Sequence, residues 1–216
     1  IPFGIGSFFA ILFLMRYVFF IAIIAASLWP ASVLAQTGGQ ETRSVVYVIC
    51  GSRQGSGIVT NSDAGYVVTA GHVARDEVTG EMSSMCRVGL VREGEGSPTS
   101  FYEAVPERIV FDPAQDLDLA VLKVNGRLSG PPLALTAARV NEFARKGDLV
   151  TIMGFAGSQN ISISIGQILG WRGHSMLASN VITQGFSGAA ALDSAGNVVG
   201  IAVRVDLSVD PVTGEE

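Results

Sequence analysis

The sequence is short of the residues that hold metals and of those that bind nucleic acid. Two cysteines and two histidines are present in 216 residues, and none of them stands at ligand spacing, so a zinc site is not expected. Charge is sparse as well: 15% of residues are charged, the formal net charge is -5, and the cations are scattered. Without a basic stripe to neutralise phosphates, nucleic acid is a poor partner. A long helical pattern, an internal repeat and a low-complexity tract are also missing, which removes the α/β sheet and the solenoid from consideration. No motif calls for a cofactor. What the chain has in quantity is apolar residues, 48%, and 26 glycines, a composition that suits a turn-rich globular domain with an added apolar segment.

That segment is at the start. From Ile1 to Ala35 the only charged residue is Arg16. "MRYVFFIAIIAASLWPASVLAQ" (15 to 36) has a short basic start, an apolar run broken at Pro30, and small residues at Val33 and Ala35. This is the grammar of an export signal cleaved after Ala35, preceded by an upstream extension, and it predicts a periplasmic or secreted protein. The alternative is a retained membrane anchor, in which case the membrane becomes a partner. Export would make a disulfide permissible. Cys50 and Cys86 can pair around His72 or stand as two buried thiols.

Beyond Gln36 the pattern is strand upon strand. Residues 44–50, 55–60, 65–73, 86–91, 107–111 and 117–124 are short, β-branched runs bounded by Gly, Asp, Ser or Pro, enough for a small barrel over 36–125. Around Pro131 and Pro132 the rhythm lapses, which marks 126–146 as a linker. It resumes in 149–155, 161–171, 176–183, 189–193 and 197–203, so residues 147–216 make a second barrel that is incomplete at its C-terminal end. The fold class expected is all-β.

Within this map three stretches carry chemistry. "GYVVTAGHV" (65 to 73) ends in His72 just after Ala70 and Gly71, small residues that allow another group to approach closely. "DPAQDLDLAVLKV" (112 to 124) offers three aspartates. Asp118 opens the apolar run and is the best placed to orient a histidine ring, while Asp112 and Asp116 read as turn residues. "TQGFSGAAALDSAGNVVGI" (183 to 201) places Ser187 in a tight glycine turn, where the N–H groups of Gly185 and Ser187 can form an oxyanion hole. An α/β-hydrolase elbow is excluded by chain order, because in those enzymes the serine precedes the histidine. His174, in "GWRGHSM", reads as a loop residue.

Taken in order, "GSGIVT...GYVVTAGHV", "DLAVLKV" and "GFSGAAALDSAGNVVGI" resemble the three blocks of trypsin-like serine proteases, closest in style to bacterial exported HtrA-like members. The likeness covers residues 44 to 205. It implies a double β-barrel with the site in the cleft between barrels, His72 as general base, Asp118 as its partner, Ser187 as nucleophile, and polypeptides as substrates. Three positions depart from the family pattern: Ala189 stands for a glycine, Phe186 for an Asp or Asn, and Val203 for a serine. Phe186 argues against activation by a newly cut N-terminus. By family spacing the substrate pocket falls on Val181, Ala202, Val203, Arg204 and Val205, and Val181 falls at its floor. An apolar floor disfavours basic residues and points to cleavage after small or apolar ones. The competing reading is a catalytically weak binding module on the same fold.

Overall fold

The computed structural model describes residues 43–76, 79–92, 94–128, 144–157 and 159–203; the N-terminal apolar segment with its signal reading, and Arg204 and Val205, lie outside the described residues. Six strands, β1 (Val45–Cys50), β2 (Arg53–Asn61), β3 (Tyr66–Ala70), β4 (Cys86–Val91), β5 (Pro98–Asp112) and β6 (Leu117–Val124), close an antiparallel barrel in the order β1-β2-β3-β6-β5-β4. Alternate residues of each strand fill it. Val46, Val48, Val67, Val88 and Leu122 are wholly buried there, each contributing about 1.5–3 kcal/mol of apolar burial. At the seam where β1 meets β4, Cys50 sits opposite Cys86 and the two form a disulfide, with Cα atoms 4.2 Å apart. The two thiols are therefore not free, and the bond staples the barrel shut.

The second half is a curled sheet of five described strands: β7 (Leu149–Phe155), β8 (Ile161–Arg172), β9 (Ser175–Ala178), β10 (Ala190–Leu192) and β11 (Val198–Ile201), in the order β11-β10-β7-β8-β9. The chain is thus all-β with two barrel-like halves. Among the described residues no helix is long and apolar enough to cross a membrane.

The two halves meet across β1 and β2. In "VVYVIC" the residues Val46, Val48 and Cys50 point into the barrel, while Val45 and Tyr47, one step out of phase, face Met153, Phe155 and Leu192 of the second sheet. A strand buried on both faces loses the alternation of a half-exposed one, which is why this run is apolar almost throughout. The Tyr47 and Phe155 rings lie 5.3 Å apart, tilted by 54°, the inclined arrangement that aromatic pairs favour.

Two elements differ from the sequence expectation. β5 begins at Pro98 rather than near residue 107 and carries Pro106 inside it. Its pairing with β6 shifts register between Pro106 and Arg108, a bulge that accommodates a residue without an N–H. The third strand stops at Ala70, and residues Gly71–Ala74 form a single helical turn, α1.

Candidate active site

α1 gives His72 its exposure. Val73 and Ala74 turn into the barrel core and are buried, which leaves the preceding histidine on the outer side with 30% of its side chain exposed. A one-turn helix has backbone N–H groups without internal partners. Ala70, at the capping position, supplies no side-chain acceptor, and the Asp118 carboxylate takes over that task. Its Oδ1 accepts from the His72 backbone N–H at 2.9 Å, and its Oδ2 lies 2.6 Å from the ring Nδ1. β3 pairs with β6 so that Ala70 faces Leu119, which brings Asp118 level with Gly71. A Cβ on Gly71 would stand 2.4 Å from Oδ1; only glycine lets the carboxylate in. A proton on Nδ1 shared with the carboxylate leaves Nε2 as the ring's acceptor.

The other two aspartates have different work. Asp112 accepts from Ala114 N–H at 3.0 Å and from Gln115 Nε2 at 2.9 Å, so it shapes the 3-10 turn over Pro113–Gln115. Asp116 has the left-handed backbone angle φ 56° and faces Arg172 of β8 at 3.8 Å.

Ser187 rides on the turn that leads into β10. Gly185 and Gly188 have φ of +101° and +87°, in the region that favours glycine. The Phe186 amide donates to Thr183 O and the Gly188 amide to Ala202 O, whereas the amides of Gly185 and Ser187 find no acceptor among the described residues. Two unengaged donors with a single residue between them suit an oxyanion site. The Ser187 hydroxyl makes one bond among the described residues, a long one of 3.5 Å to the Val203 carbonyl. Gly55 ties this turn to the histidine turn: a Cβ there would meet Ser187 O at 2.6 Å and Val73 Cγ2 at 2.8 Å, so the backbone of the serine and the neighbour of His72 converge on one glycine.

The departures at Ala189 and Phe186 have local explanations. Ala189 is fully buried, and a Cβ on Gly154 of β7 would lie 2.5 Å from its methyl, so a glycine on the facing strand makes room for it. Phe186 is 4% exposed and packs with Ile152, Ile168 and Ala202, a core anchor for the turn.

Beside the pair opens a cleft of about 660 Å³ lined by Asp118, Met176, Ile182, Val199, Ala202 and Val203 among others. Val181 also lines it but is 81% exposed, which sets it on the rim. His174 lines the same cleft, as do Asp116 and Arg172, a placement that its loop sequence did not signal. Missed too was Ser56, wholly buried on β2 and bonded to the Ser187 turn. The available signal was a serine between two glycines inside a strand, a polar group where a core residue belongs.

A sequence profile of the trypsin-like peptidase domain matches residues 55–201. The chain belongs to the trypsin-like peptidases. Among solved structures, this trypsin-like chain is similar in fold to the serine endoprotease from Yersinia pestis, at 23% identity and a TM-score of 0.63, over 82% of this chain and 59% of the Yersinia chain. It therefore spans little more than half the length of that protein. Deg5 is similar at 23% identity and a TM-score of 0.59, over 79% of this chain and 84% of Deg5. No curated protein matches the sequence.

Proposed function

We propose that this trypsin-like domain is an exported serine endopeptidase in which Ser187 is the nucleophile, His72 the general base and Asp118 its orienting partner. The observation that carries the reading is the two-point grip of Asp118 on His72, through backbone N–H and ring Nδ1 at 2.9 and 2.6 Å, because a ring held so presents Nε2 as a base. Nε2 accepts the Ser187 proton as Oγ attacks the substrate carbonyl, and the Gly185 and Ser187 amides receive the oxyanion. Collapse of the tetrahedral species passes the proton to the leaving amine and leaves an acyl-enzyme, which water hydrolyses by the same steps. The 3.5 Å contact of Ser187 with Val203 O is a weak tie, readily exchanged for Nε2; such catalytic contacts often tighten only with substrate bound.

The substrates we assign are polypeptides cut after small or apolar residues. In support, the described carboxylates on the cleft wall are Asp116 and Asp118, one facing Arg172 and the other gripping His72, so a substrate Arg or Lys would be desolvated without a free partner. Ile182, Val199, Ala202 and Val203 offer apolar contact instead. Export agrees with the apolar leader and with the Cys50–Cys86 bond, since disulfides persist in oxidising compartments.

The test is labelling by a fluorophosphonate and hydrolysis of casein by the full chain and by Ser187→Ala. The wild type should label and cut, and the variant should do neither, with a loss on the order of 10⁶ in kcat. An unlabelled, inert wild type would favour the binding-module reading, and a peptide library cut mainly after Arg or Lys would refute the assigned specificity.

A further inference from the structure

Ser56 is a serine at 0% exposure in the strand that borders both halves, and every polar group it has is spoken for. Its backbone N–H donates to Ser187 O at 2.7 Å. Its hydroxyl donates to Gly185 O at 2.8 Å and accepts from Phe155 N–H at 2.8 Å. Its own carbonyl accepts from the Thr69 hydroxyl at 2.6 Å. One residue of the first barrel thus holds two carbonyls of the Ser187 turn and the end of β7.

The turn is gripped from its other side as well. Gln184 O accepts from Gly157 N–H at 2.6 Å. In a trans peptide the carbonyl and the N–H point in opposite directions, so fixing Gln184 O toward Gly157 directs the Gly185 N–H the other way. Fixing Gly185 O on Ser56 holds the next peptide plane. Gly185, at φ +101°, has the freedom to rotate either plane, and a rotated Gln184–Gly185 plane would exchange a donor for a carbonyl at the site of the oxyanion.

We propose that Ser56 is a positioning residue: its hydroxyl holds the Gln184–Ser187 turn in the form whose Gly185 and Ser187 amides are free to receive an oxyanion. The proposal rests on the serine peptidase reading and adds to it a residue that touches no substrate. A serine hydroxyl suits the place because it has one proton to give and lone pairs to accept; alanine would strand Gly185 O and Phe155 N–H together. The facing strand leaves room for it, since a Cβ on Gly154 would stand 2.6 Å from the hydroxyl oxygen.

A merely structural serine and a positioning one predict different kinetics. In the full chain, Ser56→Ala should lower kcat by about 10- to 100-fold, the range of a displacement of about 1 Å at reacting groups, with KM close to wild type. A peptidyl trifluoromethyl ketone, whose adduct places an oxyanion in the hole, should weaken by the same factor. An uncleaved peptide bound to Ser187→Ala and to the Ser56→Ala, Ser187→Ala double variant should bind equally. Should Ser56→Ala fold poorly, Ser56→Cys fills the space with a weaker donor and acceptor and should show a smaller fall in kcat at an unchanged KM. Undiminished kcat in a folded Ser56 variant, or a loss confined to KM and peptide affinity, overturns the proposal while the peptidase reading stands. Failure of the wild type to label at Ser187 overturns both.

Discussion

Replacing Asp118 by asparagine keeps shape and removes one acceptor. The two carboxylate oxygens each receive a bond from His72, Oδ1 from the backbone N–H at 2.9 Å and Oδ2 near Nδ1 at 2.6 Å. Asparagine has one oxygen and one NH₂ group. If the oxygen stays on the backbone N–H, the NH₂ faces Nδ1, which must then be the bare nitrogen, and the ring proton moves to Nε2. That nitrogen can no longer take the proton of Ser187. If the amide turns round, the NH₂ confronts the His72 N–H, donor against donor, and the first turn of α1 loses its cap. The first arrangement costs less, so the variant should fold with the wrong tautomer. The expected loss is on the order of 10⁴ in kcat, the size that such a change brings to triads of this kind. Stability should fall by about 1–2 kcal/mol, because a charge-assisted bond becomes a neutral one in a partly exposed site. Hydrolysis of an apolar fluorogenic peptide and thermal unfolding are measured together, with Asp112→Asn and Asp116→Asn as controls. Asp112 serves the 3-10 turn and Asp116 faces Arg172, so both controls should stay near wild-type kcat. Retention of activity by Asp118→Asn, or equal damage from Asp116→Asn, would refute the tautomer argument.

Three further outcomes are expected. Gly71→Ala puts a methyl 2.4 Å from Asp118 Oδ1, which must move the carboxylate; kcat should drop by on the order of 10² and Tm should fall as the α1 cap is disturbed, and an unaltered kcat would show the pair to be unimportant. Removing the disulfide by Cys50→Ala with Cys86→Ala opens a loop of sequence separation 36 and should cost about 4 kcal/mol in the chain-entropy account; denaturant midpoints equal to wild type would count against a stapled seam. Tyr47 has its phenol pushed above the ordinary 10.0 by burial, partly offset by the Arg87 charge. The folded state therefore favours the neutral phenol, and the stability it brings is complete below the unfolded value and lost as pH rises through the folded one. Tm measured between about pH 9 and 12 should decline less steeply in Tyr47→Phe than in wild type, and identical slopes would exclude the tyrosine as the cause.

What could be read from the sequence was local. The small pair Ala70 and Gly71 before His72, the start of β6 at Leu117 and the glycine turn at Ser187 each announce themselves within a few residues, by strand composition and by small residues where something must come close. What stayed hidden depends on contacts between distant stretches. Of β5 only 107–111 reads as a strand, because Pro106 looks like a boundary; the bulge opposite β6 lets the strand run through it from Pro98. Ser56 bonds partners 99 and 129 residues away, and no local pattern reports that. His174 reaches the cleft with Asp116 and Asp118 only because the hairpin of β8 and β9 carries it there.

The division of labour between the halves has a further consequence. The His72–Asp118 grip lies wholly within the first barrel, made by α1 and β6, and it would survive a loosening of the contact between halves. The glycine turn at Ser187 would not: its carbonyls at Gly185 and Ser187 are bonded to Ser56 across that contact, and Phe155, whose amide shares the same hydroxyl, also carries the ring that packs on Tyr47. On the proposed mechanism, packing of β1 and β2 on β7 would set the geometry of acylation, while His72 is held by Asp118 independently of that packing. Perturbations of the contact should thus appear first in the binding of oxyanion analogues, and only later in the tautomer or exposure of His72.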